Sequence, residues 1–281
     1  MKVIEEKYLS GERALFKSEN LQIINCTFAN GESPLKESKY LDIKNSIFKW
    51  KYPLWYCENI EVNESTLLET ARSGIWYTKN ITIRNSVIEA PKTFRRGENI
   101  VLENVNMPLA QETLWNCHNI NIKNVQARGD YFAMNSTGIR AENFNLTGNY
   151  AFDGAKDIEI YNAKMLSKDA FWNCENVTVY DSTIIGEYIG WNSKNLTFVN
   201  CTIDSLQGFC YIDNLVLKNC RLLNTELAFE YCTVKAEVIS KIDSIKNPIS
   251  GVIKAKDIND VIIDDPNIDT EKVKIVLGVN E

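Results

Sequence analysis

One histidine in 281 residues is too few for most nucleophilic hydrolases. A Ser-His-Asp or Cys-His mechanism needs an imidazole beside its nucleophile. His118 instead falls in a column of charged residues (Glu19, Lys39, Glu58, Lys79, Glu98, Lys156, Glu175, Lys194, Asp213), where it reads as one more solvated polar side chain. The eight cysteines form no CxxC or CxxxH pair, so neither zinc nor iron-sulfur ligation is expected, and no cofactor is implied. There is no glycine-rich phosphate loop; Gly148 and Gly186 are isolated, at turns. No basic block is present in a chain with 31 Lys and Arg against 37 Asp and Glu, net charge −6, so nucleic acid is not an expected partner. No apolar run approaches the roughly 18 residues of a membrane span. The opening MKVIEEKYLSGERALFKSEN carries acidic residues where an export signal needs an apolar core, so a cytoplasmic location with reduced thiols is expected.

What the chain does have is a repeat. The motif N-[ILV]-x-[ILV]-x-N is anchored at Asn20, Tyr40, Asn59, Asn80, Asn99, Asn119, Gly138, Asp157, Asn176, Asn195 and Asn214, at gaps of 19 to 21 residues. So steady a period means a solenoid. Apolar residues stand one and three after each anchor, as in Ile81 with Ile83 and Val177 with Val179, and two apolar columns two residues apart make a strand. A second pair stands six and eight after the anchor. Between the pairs, at plus five, runs a column of Asn25, Asn45, Asn85, Asn104, Asn124, Asn143, Asn162, Asp181, Asn200 and Asn219. Asn tolerates a left-handed bend and stacks amide on amide. A third inward set lies at minus five and minus two, and takes in Cys57, Cys117 and Cys174 as small core residues.

Three short strands per coil predict an all-β, single-stranded, right-handed parallel β-helix of about eleven coils over 1–234. Beyond residue 233 the period is lost, so 235–281 is expected to be a C-terminal capping segment of the same domain, with VIIDD and VKIVL as extra strands.

The segments GERALF (11–16), GESPLKES (31–38), YPLWYC (52–57), APKTFRR (90–96), KDAFWNC (168–174) and GEYIGWNSKN (186–195) resemble an uncharacterised bacterial family of short right-handed β-helix proteins. The resemblance runs over essentially the whole chain and implies a pectate-lyase-like fold. It carries no established activity, hence no catalytic residue.

Position minus four should face outward. That column holds Trp55, Trp76, Arg95, Trp115, Met134, Asp153, Trp172 and Trp191, flanked at minus seven by Tyr52, Lys92, Glu112, Tyr131, Tyr150, Asp169 and Tyr188, with Lys168 beside them. Flat rings beside carboxylates suit a sugar. On that reading Trp55, Trp76, Trp115, Tyr131, Tyr150, Trp172, Tyr188, Trp191, Lys92 and Glu112 bind an oligosaccharide. Asp153 and Asp169 are then the candidate acid and base of a glycoside hydrolase, or Arg95, Lys92 and Lys168 the candidate bases of a lyase, and an acidic sugar would be met by Arg95 and Lys92. Asp153 is the sharpest candidate, because it interrupts an aromatic column where packing gives no reason for a carboxylate. The alternative is a non-enzymatic scaffold or self-assembling protein, with the aromatic wall or the caps as an interface between copies.

Overall fold

The computed structural model describes residues 1–278. Residues 279–281, the end of the expected cap, lie outside the described residues. Two compact units divide at 145/146. The first is built on parallel strands β1 Lys2–Glu5, β2 Glu19–Ile24, β3 Lys39–Lys44, β4 Glu58–Asn63, β5 Lys79–Ile88, β6 Glu98–Met107, β7 His118–Arg128 and β8 Thr137–Thr147, the last running just past the boundary. The second is built on β9 Lys156–Tyr161, β10 Glu175–Tyr180, β11 Lys194–Val199, β12 Asp213–Leu223, β13 Thr233–Lys246, β14 Ser250–Ile262 and β15 Val273–Leu277. No α-helix occurs among the described residues.

Strand register stacks like on like. Ile60, Ile81, Ile100 and Ile120 are successive partners in the first unit, as are Ile158, Val177, Leu196 and Leu215 in the second. All are buried. The fold is thus the expected parallel β-helix, but with fifteen turns rather than eleven. The extra turns are β1, β13, β14 and β15. Two register shifts hide the later ones, between Leu217 and Cys220 and between Val238 and Lys241. Val234 then pairs with Gly251, and Gly251 with Val273, so partners are no longer 19 apart.

The expected third strand is also corrected. Only Ile75–Trp76 and Phe94–Arg95 are strands there among the described residues; the other coils pass through turns. The backbone explains why. Left-handed residues at minus seven and minus three, as at Lys92 and Arg96, leave room for two extended residues at most, and from Leu114 onward many coils carry a further left-handed residue at minus five (Ala133, Phe152, Phe171, Phe209) that breaks even those.

The anchors are left-handed corners too, with φ from 53° at Asn80 to 65° at Asn214 among the asparagines. Their side chains form amide ladders. Asn119 donates to Asn99, Asn99 to Asn80 and Asn80 to Asn59 in the first unit, and Asn214 to Asn195, Asn195 to Asn176 and Asn176 to Asp157 in the second, at 2.7–3.0 Å. Asn is placed here twice over: it accepts the left-handed conformation, and it both donates and accepts along the stack. Asn195→Ala loses two exposed hydrogen bonds and strains a corner with φ 56°, and should cost about 2 kcal/mol in urea unfolding. Asn195→Gly relieves the corner alone and should cost about 1 kcal/mol. Equal losses would mean that the corner is unstrained.

Inside the second unit an aromatic core runs Phe152, Phe171, Phe198, Phe209, Phe229, with neighbouring centroids 5.4–6.2 Å apart. Phe152, Phe171, Phe209 and Phe229 project from left-handed turn residues, one per coil. The coil between Phe171 and Phe209 has Gly190 at that point, and Phe198 fills the space from strand β11. A Cβ on Gly190 would lie 2.7 Å from Leu196 Cδ2. All eight cysteines are buried free thiols, and burial pushes those of Cys57, Cys117 and Cys210 up to about 12.

Candidate functional site

The tryptophans do not stand out from the coil. Trp55, Trp76, Trp115, Trp172 and Trp191 are all half-buried. Four of the indoles donate Nε1–H to the carbonyl of the minus-seven residue in the next coil: Trp55 to Ser73, Trp76 to Lys92 (2.8 Å), Trp115 to Tyr131 (2.7 Å) and Trp172 to Tyr188 (3.0 Å). Each ring is therefore laid across two coils by its own hydrogen bond. The bend at minus three is what turns it over.

In the first unit this closes the wall. Trp55 and Trp76 stack with centroids 5.2 Å apart and planes 8° from parallel. The Arg95 guanidinium lies 4.6 Å from the centroids of both Trp76 and Trp115. Arg95 thus occupies an indole's place in the stack, one Nη 3.8 Å from Glu112, with its Nε buried and unpartnered. Lys92 pairs with the same Glu112 at 3.0 Å, and Tyr131 packs edge-on against Trp115. Ring faces are covered by ring faces, and the cations proposed for an acidic sugar are neutralised by one carboxylate.

The second unit differs. Tyr150 meets Trp172 edge-on at 5.8 Å, and Trp172 and Trp191 are tilted by 34°. Tyr188 is edge-on to Trp191. The series continues to Tyr211, 5.0 Å from Trp191 and tilted by 46°, and to Tyr231, 5.2 Å from Tyr211. Here the rings splay, leaving parts of their faces uncovered.

The two carboxylates singled out from sequence part company. Asp153 is half-buried and accepts Asn173 Nδ2 at 2.9 Å, while Asn173 in turn accepts Asn192, so Asp153 begins a short amide ladder. Asp169 does not lie on an open wall: it is 2% exposed, and its Oδ1 has no partner. Burial raises its pKa and Glu187 adds to the rise, against the opposing effects of Lys168 and a hydrogen bond with Tyr150. Lys168 is exposed and paired with Glu187 at 3.1 Å, which raises its own pKa.

A proton is held more tightly by folded than by unfolded Asp169. Its favourable contribution is therefore complete below the unfolded value near 4, and is lost as pH rises through the folded one. Asp169→Asn should equal or exceed the parent in stability at pH 7, by up to about 1 kcal/mol, with the difference vanishing near pH 3. Urea unfolding at both pH values checks this; a variant less stable at pH 7 would show that the charge is well met.

A hollow of about 660 Å³ opens in the second unit beside Tyr211 and Tyr231, bounded also by Asp213, Thr233, Ile249 and Asp265. Tyr211 is 43% exposed. The Tyr231 hydroxyl donates to Asp265 at 3.0 Å and Thr233 donates to Asp213 at 3.2 Å. Bonds from the Asn267 backbone, then from Tyr231 and the Asn267 side chain, hold the Asp265 carboxyl below its usual range. None of these residues was a candidate from sequence. A signal existed for Tyr211, since Tyr56 and Tyr77 share its minus-three column and stack at 4.6 Å. Ile249 and Asp265 lie where the period has lapsed, and Tyr231 just before it does. Among the described residues no group of His, Cys, Asp and Glu is set to hold a metal ion, and no helix is long and apolar enough to cross a membrane.

Fold and site together define a parallel β-helix laced by exposed amide ladders and by aromatic stacks, with one splayed aromatic edge leading to a hollow. The chain belongs to the family described as Protein of unknown function (DUF3737), which it matches over residues 2–276. Similar solved structures include the mannuronan C-5 epimerase AlgE4 A-module of Azotobacter vinelandii (11% identity, 97% of this chain and 87% of that one, TM-score 0.35). Others are the surface protein and adhesin PfbA of Streptococcus pneumoniae (13%, 92% and 76%, 0.30) and the catalytic domain of a GH87 alpha-1,3-glucanase (11%, 98% and 63%, 0.31). No curated protein matches the chain.

Proposed function

We propose that this protein binds a neutral oligosaccharide in the hollow of its second unit, without acting on it. The observation that carries the reading is the hollow itself: a concavity of ligand size, walled by an exposed Tyr and its stacked neighbour, with two carboxylates and a hydroxyl to meet sugar hydroxyls. Asp169 is not in its lining, and of the two carboxylates that are, Asp265 is held ionised by Asn267 and Tyr231 and so makes a poor general acid, which favours binding over catalysis.

The test is titration calorimetry and thermal stabilisation with maltotetraose, cellotetraose, xylotetraose and chitotetraose, on the parent and on Tyr211→Ala. One of the four should bind, and at about 100 times its Kd should add roughly 2.7 kcal/mol of stability. Tyr211→Ala should weaken it at least tenfold, with the unliganded protein still folded but less stable by about 1–2 kcal/mol for the lost contacts with Trp191 and Tyr231. Failure of all four would overturn the reading. A Tyr211→Ala variant altered only in oligomeric state would favour an interface between copies.

A further inference from the structure

A second hollow, of about 540 Å³, lies on the outer face of strands β12, β13 and β14, bounded by Val216, Lys218, Lys235, Glu237, Val252 and Lys254. Elsewhere the register sets acid beside base, as with Lys79 and Glu98 or Lys156 and Glu175, paired at 3.1 and 2.9 Å. On this face it does not. Lys235 has Val216 and Val252 as its register partners, and Lys274 of β15 sits beside Val252. Only Lys254 has an acid as partner, Glu237. Lys218, Lys235, Lys254 and Lys274 are exposed, and none takes part in an ion pair among the described residues. Four ammonium groups against one carboxylate make a positive patch on a chain of net charge −6.

We propose that this face binds an acidic oligosaccharide, its carboxylates met by Lys218, Lys235, Lys254 and Lys274. Neighbouring strands lie about 4.8 Å apart and alternate residues along a strand about 6.6 Å, so the ammonium groups form a two-dimensional grid that a chain of carboxylate-bearing sugars can cross. The half-buried valines between them give an apolar floor for sugar C–H groups. A single-stranded nucleic acid would want aromatic rings for base stacking, and the hollow's lining has none. The site is independent of the neutral-sugar hollow and shares no residue with it.

The test is calorimetric titration of the intact protein with tetragalacturonate, with cellotetraose and an oligothymidylate of similar charge as comparisons. Tetragalacturonate should bind, more weakly as salt is added. The double variant Lys235→Ala/Lys254→Ala should lose at least tenfold in affinity at unchanged melting temperature. Glu237→Gln should tighten binding, and Tyr211→Ala should leave it alone. No binding of tetragalacturonate, or binding indifferent to the lysine and Glu237 changes, would overturn the proposal. An oligothymidylate bound more tightly, with the same dependence on the lysines, would overturn the saccharide assignment. Loss of tetragalacturonate binding in Tyr211→Ala would place it in the other hollow and equally refute the site.

Discussion

Phe198→Ala should destabilise the protein by about 4–5 kcal/mol, the upper end of what truncating a buried Phe costs. That cost depends on how far neighbours can collapse into the space left behind. Phe198 is fully buried and bridges Phe171 and Phe209, at centroid distances of 6.2 and 5.5 Å. The coil beside it has Gly190 at its inward turn position, so no side chain stands ready to move in. Phe171 and Phe209 are pinned by left-handed backbones, with φ of 62° and 66°. By contrast Phe198→Leu keeps most of the volume and should cost about 1–2 kcal/mol. Gly190→Ala alone should also destabilise, because its Cβ would meet Leu196 and Ile212 within 3.0 Å. Urea unfolding of the three variants checks the assignment. A Phe198→Ala cost below about 2 kcal/mol would mean that the core there is soft and that Phe198 does not substitute for the missing inward side chain.

Arg95→Ala should cost about 2–3 kcal/mol, and Arg95→Lys should recover little of it. The guanidinium is a flat cation held face-on between two indoles, a contact worth about 1–2 kcal/mol per face when partly desolvated. An ammonium has no plane to stack, so Lys leaves the indoles apart. Arg95→Trp is the informative variant. Where indoles are successive in that column, as at Trp55 and Trp76 or Trp172 and Trp191, the contact is ring on ring, so an indole there should restore at least half the loss. If Arg95→Trp is as damaging as Arg95→Ala while Arg95→Lys is tolerated, the charge rather than the plane is what the site needs. Arg95 would then regain its standing as a candidate for acid recognition.

The same residues show how far the sequence could be read. Arg95, Trp115 and Asp153 were legible as members of one column, because the 19-residue period fixes which residues lie above one another. Their orientation was not legible. Whether a residue at minus four faces solvent depends on the backbone on either side of it. A strand on both sides would have pointed the indoles outward; left-handed corners at minus seven and minus three lay them across the next coil instead. Asp169 was misplaced because its coil bends elsewhere, at left-handed Phe171 and Asn173. Read as outward, it is buried, and it is Asp169 rather than Asp153 that is the shielded carboxylate.

By itself the sequence determined the class of fold, the inward columns and the amide ladder at plus five. These are properties of one coil repeated, and a local preference repeated along a stack needs no knowledge of distant contacts. The four turns outside the period, the closed wall of the first unit, the splayed rings of the second and both hollows were decided by tertiary structure alone. Tyr211 belongs to a periodic column, but Ile249 and Asp265, which complete its hollow, come from stretches with no common spacing. Ile249 and Asp265 reach the two tyrosines after the register shifts in β12 and β13 have changed the length of the coils, and no local signal records where a coil of altered length will set its side chains down.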